Sequence, residues 1–398
     1  MIKHLVKLIW NRKRANFLIA LEIFFSFLVL FIVIVLAVYF SDNYRRPLGF
    51  NYENVWNIGI ARNELPHDNQ VETVRQLILA LQKLDEIVMV GGTDHRAFNW
   101  GGSHGEVNIN GSGFFFRRNY VTDEFATVMG VKMIRGRWFS KEDDGSNTRP
   151  VVINRLAAEA IFGNQDPVGR DIPGFGNWEF GNSESVRIVG VIDDFRHEGD
   201  FAQPENIIFF RMEFDSARRR LPQYLLIKLR PGITRQFEEK LVSRLHEIAR
   251  DWTFQVQPLY ELRETSMQVV LVPLGIAGLV AAFLMIMVAL GLTGVLWQNV
   301  TQRTKELGLR RAKGATRQRI YRQILGELFI VTSFGLLAGL LLVVQVPLLD
   351  LIGVISLKVY LVSLIGAMMI IYLLSLLCGL YPSWLATKVH PADALHYD

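Results

Sequence analysis

The amino-acid sequence predicts a membrane protein with four transmembrane α-helices and one large exported α+β domain between the first and the second. The 398 residues are 50% hydrophobic and have a mean hydropathy of +0.22, a high value for a soluble chain. The apolar residues are concentrated in four runs, 17–40, 269–297, 324–352 and 357–381, whereas 41–268 has an ordinary globular composition. A helix needs about 20 apolar residues to cross about 30 Å of hydrocarbon, so each run can span a membrane. This pattern excludes a soluble enzyme.

Basic residues flank the predicted spans and set their orientation. Residues 1–16 carry five Lys or Arg and no acid, and residues 298–323 carry eight Lys or Arg against one acid, Glu306. Residues 41–268 instead hold 28 basic and 32 acidic side chains. Because Lys and Arg in short flanking segments stay on the cytoplasmic side, both termini are predicted to be cytoplasmic and 41–268 to be exported. The basic excess therefore indicates a cytoplasmic (inner) membrane protein and not a nucleic-acid-binding one.

The segment before the first span, 1–16, is predicted to form a cytoplasmic amphipathic helix in the headgroup plane. Its apolar face consists of Ile2, Leu5, Val6 and Ile9. The alternative is that these residues fray ahead of the span. The run 17–40 could also be a cleaved signal peptide, but it exceeds the usual apolar region of about 7–15 residues, so a retained span is favoured.

Two similar strand–helix–strand units are predicted at the ends of the exported region. The first contains strands 54–60 and 87–90 around a helix through Val71, Val74, Ile78 and Leu81; the second contains strands 224–229 and 253–256 around a helix through Phe237, Leu241, Leu245 and Ile248. The chain between them is Gly-rich and β-rich, with predicted strands 151–153, 187–192 and 207–210 and a short helix after Asn154. The simplest arrangement is one α+β platform built from both flanks, with an inserted β-rich subdomain. Such a platform is connected to the first two spans.

The sequence lacks the motifs of common catalytic and cofactor sites. It contains no G-x-x-x-x-G-K-[ST], G-x-S-x-G, H-E-x-x-H or paired C-x-x-C, and its single cysteine, Cys378, lies in the last apolar run. Asp193 and Asp194 are interpreted as turn or strand residues and not as an acid/base pair. The stretch 100–106, with His104 among its residues, is interpreted as a flexible Gly-rich loop and not as a metal site. We therefore expect no catalytic residue, metal or cofactor in this chain.

Acidic residues in the predicted spans are few. Glu22 and Ser26 lie one helical turn apart near the cytoplasmic end of the first span, and Glu327 opens the third. Charged side chains are costly in hydrocarbon and often mark ion pathways, but a relay needs several of them near the midplane. We interpret these residues as packing or interface contacts, which argues against a proton-driven carrier.

The cytoplasmic segment between the second and third spans, 298–323, is predicted to be a helix, a tight break and a second helix. Thr304–Lys313 can form the first helix, which contains an oppositely charged i,i+4 pair. Gly314 suits the left-handed position that ends a helix, and Thr316 suits the N-cap of the next one. A merely basic loop would explain the charge but not this order of residues. The segment has the form expected of a docking element.

Several stretches of the chain, in order, resemble the motifs of one family. Residues 306–315, ELGLRRAKGA, are similar to the pattern E-hydrophobic-G-hydrophobic-R-x-A-hydrophobic-G-A, with Lys313 in place of an apolar residue. Residues 381–395, YPSWLATKVHPADAL, are similar to Y-P-A-x-x-A…P-x-x-A-L. Residues 131–139, 166–169 and 189–195 are similar to G-R-x-F, D-P-hydrophobic-G and V-G-V-hydrophobic-x-D-F. Over essentially its whole length the chain thus resembles the FtsX-like permeases of MacB-type ABC transporters.

The resemblance implies a type VII ABC permease in which the flanks 41–95 and 223–268 form the porter-like subdomain and 96–222 the sabre-like subdomain. It also implies a short cytoplasmic tail, 382–398. Because the sequence has no P-loop, ATP and Mg²⁺ would be bound by a separate ABC ATPase subunit. The coupling helix seated in that ATPase would contain Arg303, Lys305, Glu306, Leu307, Gly308, Arg310, Arg311, Gly314 and Ala315.

The implied mechanism is mechanotransmission, in which ATP-driven closure of the ATPases moves the stalk helices and the exported domains. The outcome would be export, efflux or extraction of a substrate on the periplasmic side, with this chain as a non-catalytic subunit. The implied partners are the ATPase, a second permease copy or a paralogue, membrane lipid and a periplasmic adaptor. A different hypothesis is a transmembrane sensor or signalling subunit that regulates an extracytoplasmic partner.

Overall fold

The computed structural model describes residues 13–62, 67–109, 111–146, 148–175, 186–212, 220–303, 309, 313–349 and 355–387. The chain divides into two compact units: a membrane unit, made of residues up to Asp42 and from Leu271 onward, and an exported unit, Asn43–Val270. The elements in chain order are α1 Lys13–Tyr44, β1 Val55–Ala61, α2 His67–Gln82, β2 Ile87–Thr93, β3 Ser103–Ile109, β4 Ser112–Val121, α3 Phe125–Met129, β5 Met133–Gly136, a 3₁₀ turn Lys141–Asp143, β6 Arg149–Asn154, α4 Arg155–Phe162, β7 Val186–Ile192, β8 Ile207–Arg211, β9 Tyr224–Leu229, α5 Gln236–Ile248, β10 Thr253–Pro258, α6 Leu259–Gln302, α7 Arg317–Val343, α8 Gln345–Leu348 and α9 Leu357–Thr387.

Among the described residues, four helices are long and apolar enough to cross a membrane: α1, α6, α7 together with α8, and α9. At about 1.5 Å per residue the 44 residues of α6 extend about 66 Å, more than twice the ~30 Å of a bilayer core. The helix therefore continues from the membrane unit into the exported unit. The predicted fold class, four spans with a large exported α+β domain after the first, is confirmed.

The third apolar run is interrupted before its predicted end at 352. Helix α7 ends at Val343 and the short α8 follows it. Pro347 explains the break, because a proline ring clashes with the carbonyl group four residues earlier, here that of Val343. Residues 350–354 and the predicted headgroup helix before Lys13 lie outside the described residues.

Small residues set the packing of α1 on α7 within the membrane unit. Gly335 faces the backbone of Ala20 and the side chain of Ile23, and Gly339 faces the ring of Phe27, so that a Cβ at either glycine would overlap these atoms. Glycines at this spacing allow close approach of membrane helices. Helices α7 and α9 are joined by hydroxyl pairs, among them Thr332 with Ser375 at 3.0 Å.

One ten-stranded sheet runs through the exported unit, in the order β10-β1-β9-β2-β4-β8-β6-β7-β5, with β3 paired to β4. The first four strands come from the two flanking units and are antiparallel to their neighbours. Helices α2 and α5 cover one face of these strands and bury side chains such as Trp56, Leu77 and Leu241. This half of the sheet is the platform that the flanking sequences predict.

The inserted half of the sheet joins the platform through a narrow connection. In the described strands, β2 and β4 share the single register pair Thr93–Val121. The side chains of Thr93 and Asn119, 2.8 Å apart, and a bond from Gly92 N to Thr122 Oγ1 at 2.9 Å strengthen it. The insert is thus a continuation of the platform sheet and not a separately folded layer.

A third hydrophobic cluster fills the other face at this connection. It combines side chains of the insert, such as Phe125 and Phe209, with Val55 of the platform and with Leu259 and Leu262 of α6. The first turn of α6 is therefore part of the core of the exported unit.

Candidate functional site

The segment that is predicted to be cytoplasmic and to dock an ATPase is described in part. Lys305, Glu306, Leu307, Gly308, Arg310 and Arg311 lie outside the described residues, as does most of the predicted helix Thr304–Lys313. Arg303, Gly314 and Ala315 are described. The role of all nine residues stays a prediction.

Arg303 forms an ion pair with Glu327 at the point where α6 ends. Its Nη1 donates to both carboxylate oxygens of Glu327, at 2.9 and 3.0 Å, and the two side chains are only 14% and 17% exposed. Gln323 Nε2 donates to the same carboxylate at 3.1 Å. The interpretation of Glu327 as an interface contact is confirmed: it connects the end of α6 to a point about three turns into α7.

Gly314 and Thr316 have the conformations that the sequence predicts for them. Gly314 has a φ of +91°, which is in the left-handed region. Thr316 is the N-cap of α7, and its hydroxyl accepts a hydrogen bond from Arg319 N at 3.4 Å. The membrane acid Glu22 also has a packing role, because its carboxylate lies where Gly291 of α6 has no side chain.

In the exported unit the residues after β7 form a loop, 195–203, that we call the clamp loop. Its Arg196, 1% exposed, donates through Nη1 to the carbonyl oxygens of Asn43 and Arg46, at 2.8 and 2.9 Å. Asn43 Nδ2 returns a bond to Phe201 O at 3.1 Å, and the ring of Tyr44 stacks on that of Phe201. The exported end of α1 is therefore fixed to the clamp loop.

The start of α6 is fixed to the same loop. Arg263 Nε and Nη2 donate to the two carboxylate oxygens of Asp200, at 2.9 and 2.8 Å, and Arg263 Nη1 donates to Tyr52 Oη at 2.9 Å. One turn later Ser266 Oγ donates to Glu198 O at 3.0 Å. Asp200 is 7% exposed, so the pair is largely shielded from water.

Charged side chains beneath the clamp loop hold it in place. Arg117, 1% exposed, donates to Glu198 Oε1 at 2.6 Å, to Glu205 and to Gly101 O at 2.7 Å. His197 is 1% exposed, and burial, followed by the positive charge of Arg117, holds its pKa well below the ordinary value. The loop is thus built around a neutral histidine and a neutralised arginine.

These contacts make the clamp loop a connection between α1 and α6. One loop contacts the exported ends of both α1 and α6, and the same loop follows strand β7 of the large sheet. Sequence reasoning considered an acid/base role only for Asp193 and Asp194, rejected it, and did not identify Arg196, Asp200 or Arg263 as connecting residues. The available signal was a run of charged residues between aromatic ones, from Phe195 to Phe201, since charges in such surroundings must be paired.

Two other stretches were considered in the sequence analysis. Asp193 and Asp194 directly follow β7, in agreement with their interpretation as turn or strand residues, and each carboxylate lies 3.3 Å from Arg155 Nη2. The predicted flexible loop 100–106 is wrong from Ser103 onward, because Ser103–Ile109 is strand β3 and its backbone pairs with β4 along its whole length. His104 Nε2 lies 3.5 Å from Glu205 Oε2, and no group of three or more potential metal ligands occurs in the described parts of the chain.

Comparisons with known proteins identify both units. The MacB-like periplasmic core domain family matches residues 17–244, and the FtsX-like permease C-terminal family matches residues 278–391. A macrolide export ATP-binding/permease protein MacB of Bdellovibrio bacteriovorus is 28% identical over 305 residues, which cover 71% of this chain and 45% of that protein. The ABC transporter permease YknZ of Bacillus subtilis is 25% identical over 291 residues, 70% of each chain.

The similarity has a limited extent in the longer relatives and in the solved structures. The chain spans less than half the length of three curated MacB relatives, between 42% and 46%. The crystal structure of the periplasmic region of MacB from Actinobacillus actinomycetemcomitans covers 54% of this chain and 92% of its own, with 16% identity and a TM-score of 0.38. On the two family matches, which together extend from residue 17 to residue 391, the chain belongs to the family of membrane proteins that combine a MacB-like periplasmic core domain with an FtsX-like permease domain.

Proposed function

We propose that this chain is the permease subunit of a MacB-type ABC transporter, and that ATP hydrolysis on a separate ATPase subunit moves its exported domain. The observation that carries the proposal is the clamp loop, which binds the exported end of α1 through Arg196 and that of α6 through Asp200. Because both helices continue into the membrane unit, a displacement of either one acts directly on this loop. The loop follows β7 of the large sheet, so the displacement reaches the whole exported domain.

On the cytoplasmic side, the proposed mechanism requires a contact between this chain and the ATPase. Residues 303–315 would seat in the ATPase as the coupling helix, and the Arg303–Glu327 pair would hold the base of this segment against α7. A relative whose name joins ATP-binding and permease functions supports an ABC ATPase as the partner. The permease itself would be non-catalytic.

The remaining features of the proposal concern assembly and placement. We place the chain in the cytoplasmic membrane with both termini in the cytoplasm and residues 41–268 outside. It would act with a second copy or a paralogue, and with a periplasmic adaptor where one is present. The substrate would be extruded or extracted from the exported side, consistent with the export function in the names of its MacB relatives.

Association with an ATPase is the first test. The tagged full-length chain would be purified from its native membranes in mild detergent, and its partners identified by mass spectrometry. We expect an ABC ATPase to co-purify, and the double variant Glu306→Lys/Gly314→Pro to retain less than a tenth of it. The control Lys358→Gln changes a charge at the start of α9, away from the coupling segment. An unchanged yield of ATPase with the double variant would overturn the docking proposal.

Transmission through the clamp loop is the second test. Hydrogen exchange of the exported unit would be compared in the purified complex with and without ATP and vanadate. We expect nucleotide trapping to change exchange in residues 195–203, and Asp200→Asn to abolish this change while ATPase activity persists. Asp171→Asn, which removes an exposed ion pair with Arg187, should leave it intact. A full response in Asp200→Asn would contradict transmission through this loop.

A third measurement separates transport from signalling. If vesicles with the complex expel no substrate while an extracytoplasmic partner enzyme is activated on ATP addition, the chain is a signalling subunit. The clamp loop serves both functions equally, so this result would leave the mechanical proposal in place and replace the transport one.

A further inference from the structure

A groove of about 460 Å³ lies between helices α7 and α9 of the membrane unit. Its walls include Leu325 and Phe329 from α7, and Met369, Tyr372, Leu373 and Leu376 from α9. Its volume lies within the range of about 300–1,000 Å³ that is typical of sites for small ligands. The groove is open to the side and lies along helices that cross the membrane, so its surroundings are lipid.

The polar atoms near the groove are already used. Tyr372 Oη is hydrogen-bonded to Ser333 Oγ at 3.0 Å, and Ser375 Oγ accepts from Thr332 at 3.0 Å. At Gly379, a Cβ would lie 2.8 Å from side-chain atoms of Leu325, so the two helices approach closely at this point. The groove therefore offers hydrocarbon and no unsatisfied donor or acceptor, which suits an apolar chain.

The cytoplasmic mouth of the groove is basic. Arg322 precedes Leu325 by three positions and Phe329 by seven, so all three lie on one face of α7. Its side chain is exposed. At about 1.5 Å per residue, Arg322 lies about 5 Å along the helix axis from the level of Leu325 and about 10 Å from that of Phe329. Charge at this position faces the headgroup region when the groove faces the acyl chains of the same leaflet.

We propose that this groove binds one acyl chain of an anionic phospholipid from the cytoplasmic leaflet, with the lipid phosphate at Arg322. On α9 the groove extends over about two helical turns, from Met369 to Leu376, or about 10 Å, which accommodates most of the part of a chain within one leaflet, about 15 Å of a ~30 Å core. The positive charge at its mouth selects an anionic headgroup over a zwitterionic one. Each Lys or Arg near an anionic surface contributes about 1 kcal/mol, which corresponds to about fivefold in binding.

Photo-crosslinking tests the proposal on the full-length chain. The protein would be reconstituted in nanodiscs that contain trace phosphatidylglycerol or phosphatidylcholine with a diazirine in one acyl chain, and the labelled residues mapped by mass spectrometry. We expect labels on Leu325, Phe329, Met369 and Leu373, with phosphatidylglycerol labelling about fivefold more than phosphatidylcholine. Equal labelling by the two lipids, or labels confined to other helix faces, would overturn the proposal.

Matched variants separate a site from general basic attraction. Arg322→Gln should reduce phosphatidylglycerol labelling about fivefold, whereas Arg317→Gln, five positions earlier and therefore on another face of the same helix, should leave it within twofold. Met369→Trp should fill the groove and remove labelling by both lipids. If Arg317→Gln lowers labelling as much as Arg322→Gln, the attraction is not local and the proposed site is wrong. Should a variant fail to fold, loss of the wild-type preference for phosphatidylglycerol in high salt remains the decisive measurement, and its persistence would contradict a role for charge.

Discussion

Helix α6 is held at both of its ends by an arginine–carboxylate pair, and the two pairs differ in geometry. At the exported end, two nitrogens of Arg263 bind the two oxygens of Asp200 at 2.9 and 2.8 Å, while the third donates to Tyr52. At the other end, which we expect to be cytoplasmic, the single atom Nη1 of Arg303 reaches both oxygens of Glu327, at 3.0 and 2.9 Å. In the first pair all three guanidinium nitrogens donate hydrogen bonds, whereas in the second pair a single nitrogen donates to both carboxylate oxygens.

This difference separates a rigid joint from one that can turn. Two parallel N–H···O bonds fix the plane of the guanidinium relative to the carboxylate and add specificity as well as energy. Gln323 also donates to the Glu327 carboxylate, but from the same helix, so Arg303 reaches it through a single nitrogen and can turn about that contact. We therefore expect the exported end of α6 to move as one body with the clamp loop, and the cytoplasmic end to change its angle to α7 when the coupling segment is displaced.

The largest effect is expected at the rigid joint. Asp200→Asn should lower the free energy of unfolding by about 3 kcal/mol, since removal of one partner from a buried pair costs about 3–5 kcal/mol. Asp171→Asn removes a pair with Arg187 whose side chains are 44% and 46% exposed, so water screens this pair and we expect a far smaller loss of stability. Thermal unfolding of the full chain in detergent measures both. Equal shifts for the two variants would show that Asp200 is not a rigid joint.

A backbone contact next to the clamp loop gives the second largest effect. Gly49 has a φ of +84° and lies directly against the carbonyl group of Asp194, with no room for a Cβ. Gly232 has a similar φ of +89° but no neighbour within 4 Å of a Cβ. Both alanine variants incur the left-handed backbone strain, so their difference isolates the overlap at Gly49.

We expect Gly49→Ala to destabilise the chain by about 2 kcal/mol more than Gly232→Ala, within the range typical of overpacking. Chemical denaturation of the two variants measures the difference. If the two variants lose the same free energy of unfolding, the segment from α1 to β1 can shift to accommodate the Cβ. The rigid part of the exported joint is then the Arg263–Asp200 pair alone.

Much of this fold follows from patterns in the sequence. Apolar runs longer than a bilayer core predict the spans, and the strand–helix–strand units predict the platform, since alternation and helical spacing are local properties of the chain. The strands in the inserted half of the sheet are harder to predict from the sequence than those of the platform. Strands β3 and β4 escape individual prediction because Gly-rich residues such as 101 and 102 precede them and polar residues such as Arg117 occupy buried positions.

The candidate site likewise contains residues that the local sequence predicts and contacts that it does not. Gly314 and Thr316 are predictable because a left-handed glycine and an N-cap are decided by neighbouring residues. The pairs Arg263–Asp200 and Arg196 with Asn43 join residues far apart in sequence, and no local spacing indicates them. Arg303 was predicted as a docking residue, and its partner Glu327 was predicted only as an interface contact of unspecified kind.

The turning joint should lose less on substitution than the rigid one. Glu327→Gln keeps the shape but weakens the bonds from Arg303 and Gln323, and should cost about 1.5 kcal/mol, the lower range for hydrogen bonds to a charged group. The swap Arg303→Glu/Glu327→Arg should recover most of this loss, because one flexible contact tolerates reversal. The corresponding swap of Arg263 and Asp200 should not recover stability. Tyr52 accepts a hydrogen bond from the guanidinium, and residue 200 is only 7% exposed, so the site accommodates the guanidinium in one orientation only. Thermal unfolding of both swaps checks this, and recovery at both ends would remove the distinction.

The smallest effect is a pH dependence confined to the exported joint. The buried His197 has a pKa well below its ordinary value, first because of burial and then because of the charge of Arg117. At about pH 6.5 and below, this histidine is protonated in the unfolded chain but stays neutral in the folded chain. The free energy of unfolding therefore decreases as the pH falls below that value. One such group lowers the free energy of unfolding by about 1 kcal/mol between pH 6.5 and 5.5.

Hydrogen-exchange protection, corrected for intrinsic rates, locates this effect. Protection of residues 195–203 should fall between pH 6.5 and 5.5, whereas the start of α7 should not change, because residues 298–343 contain no histidine. His197→Gln should remove the difference, while His246→Gln, on the exposed side of α5, should leave it. An unaltered pH response in His197→Gln would assign the titration to another group, and the two ends of α6 would then differ in geometry alone.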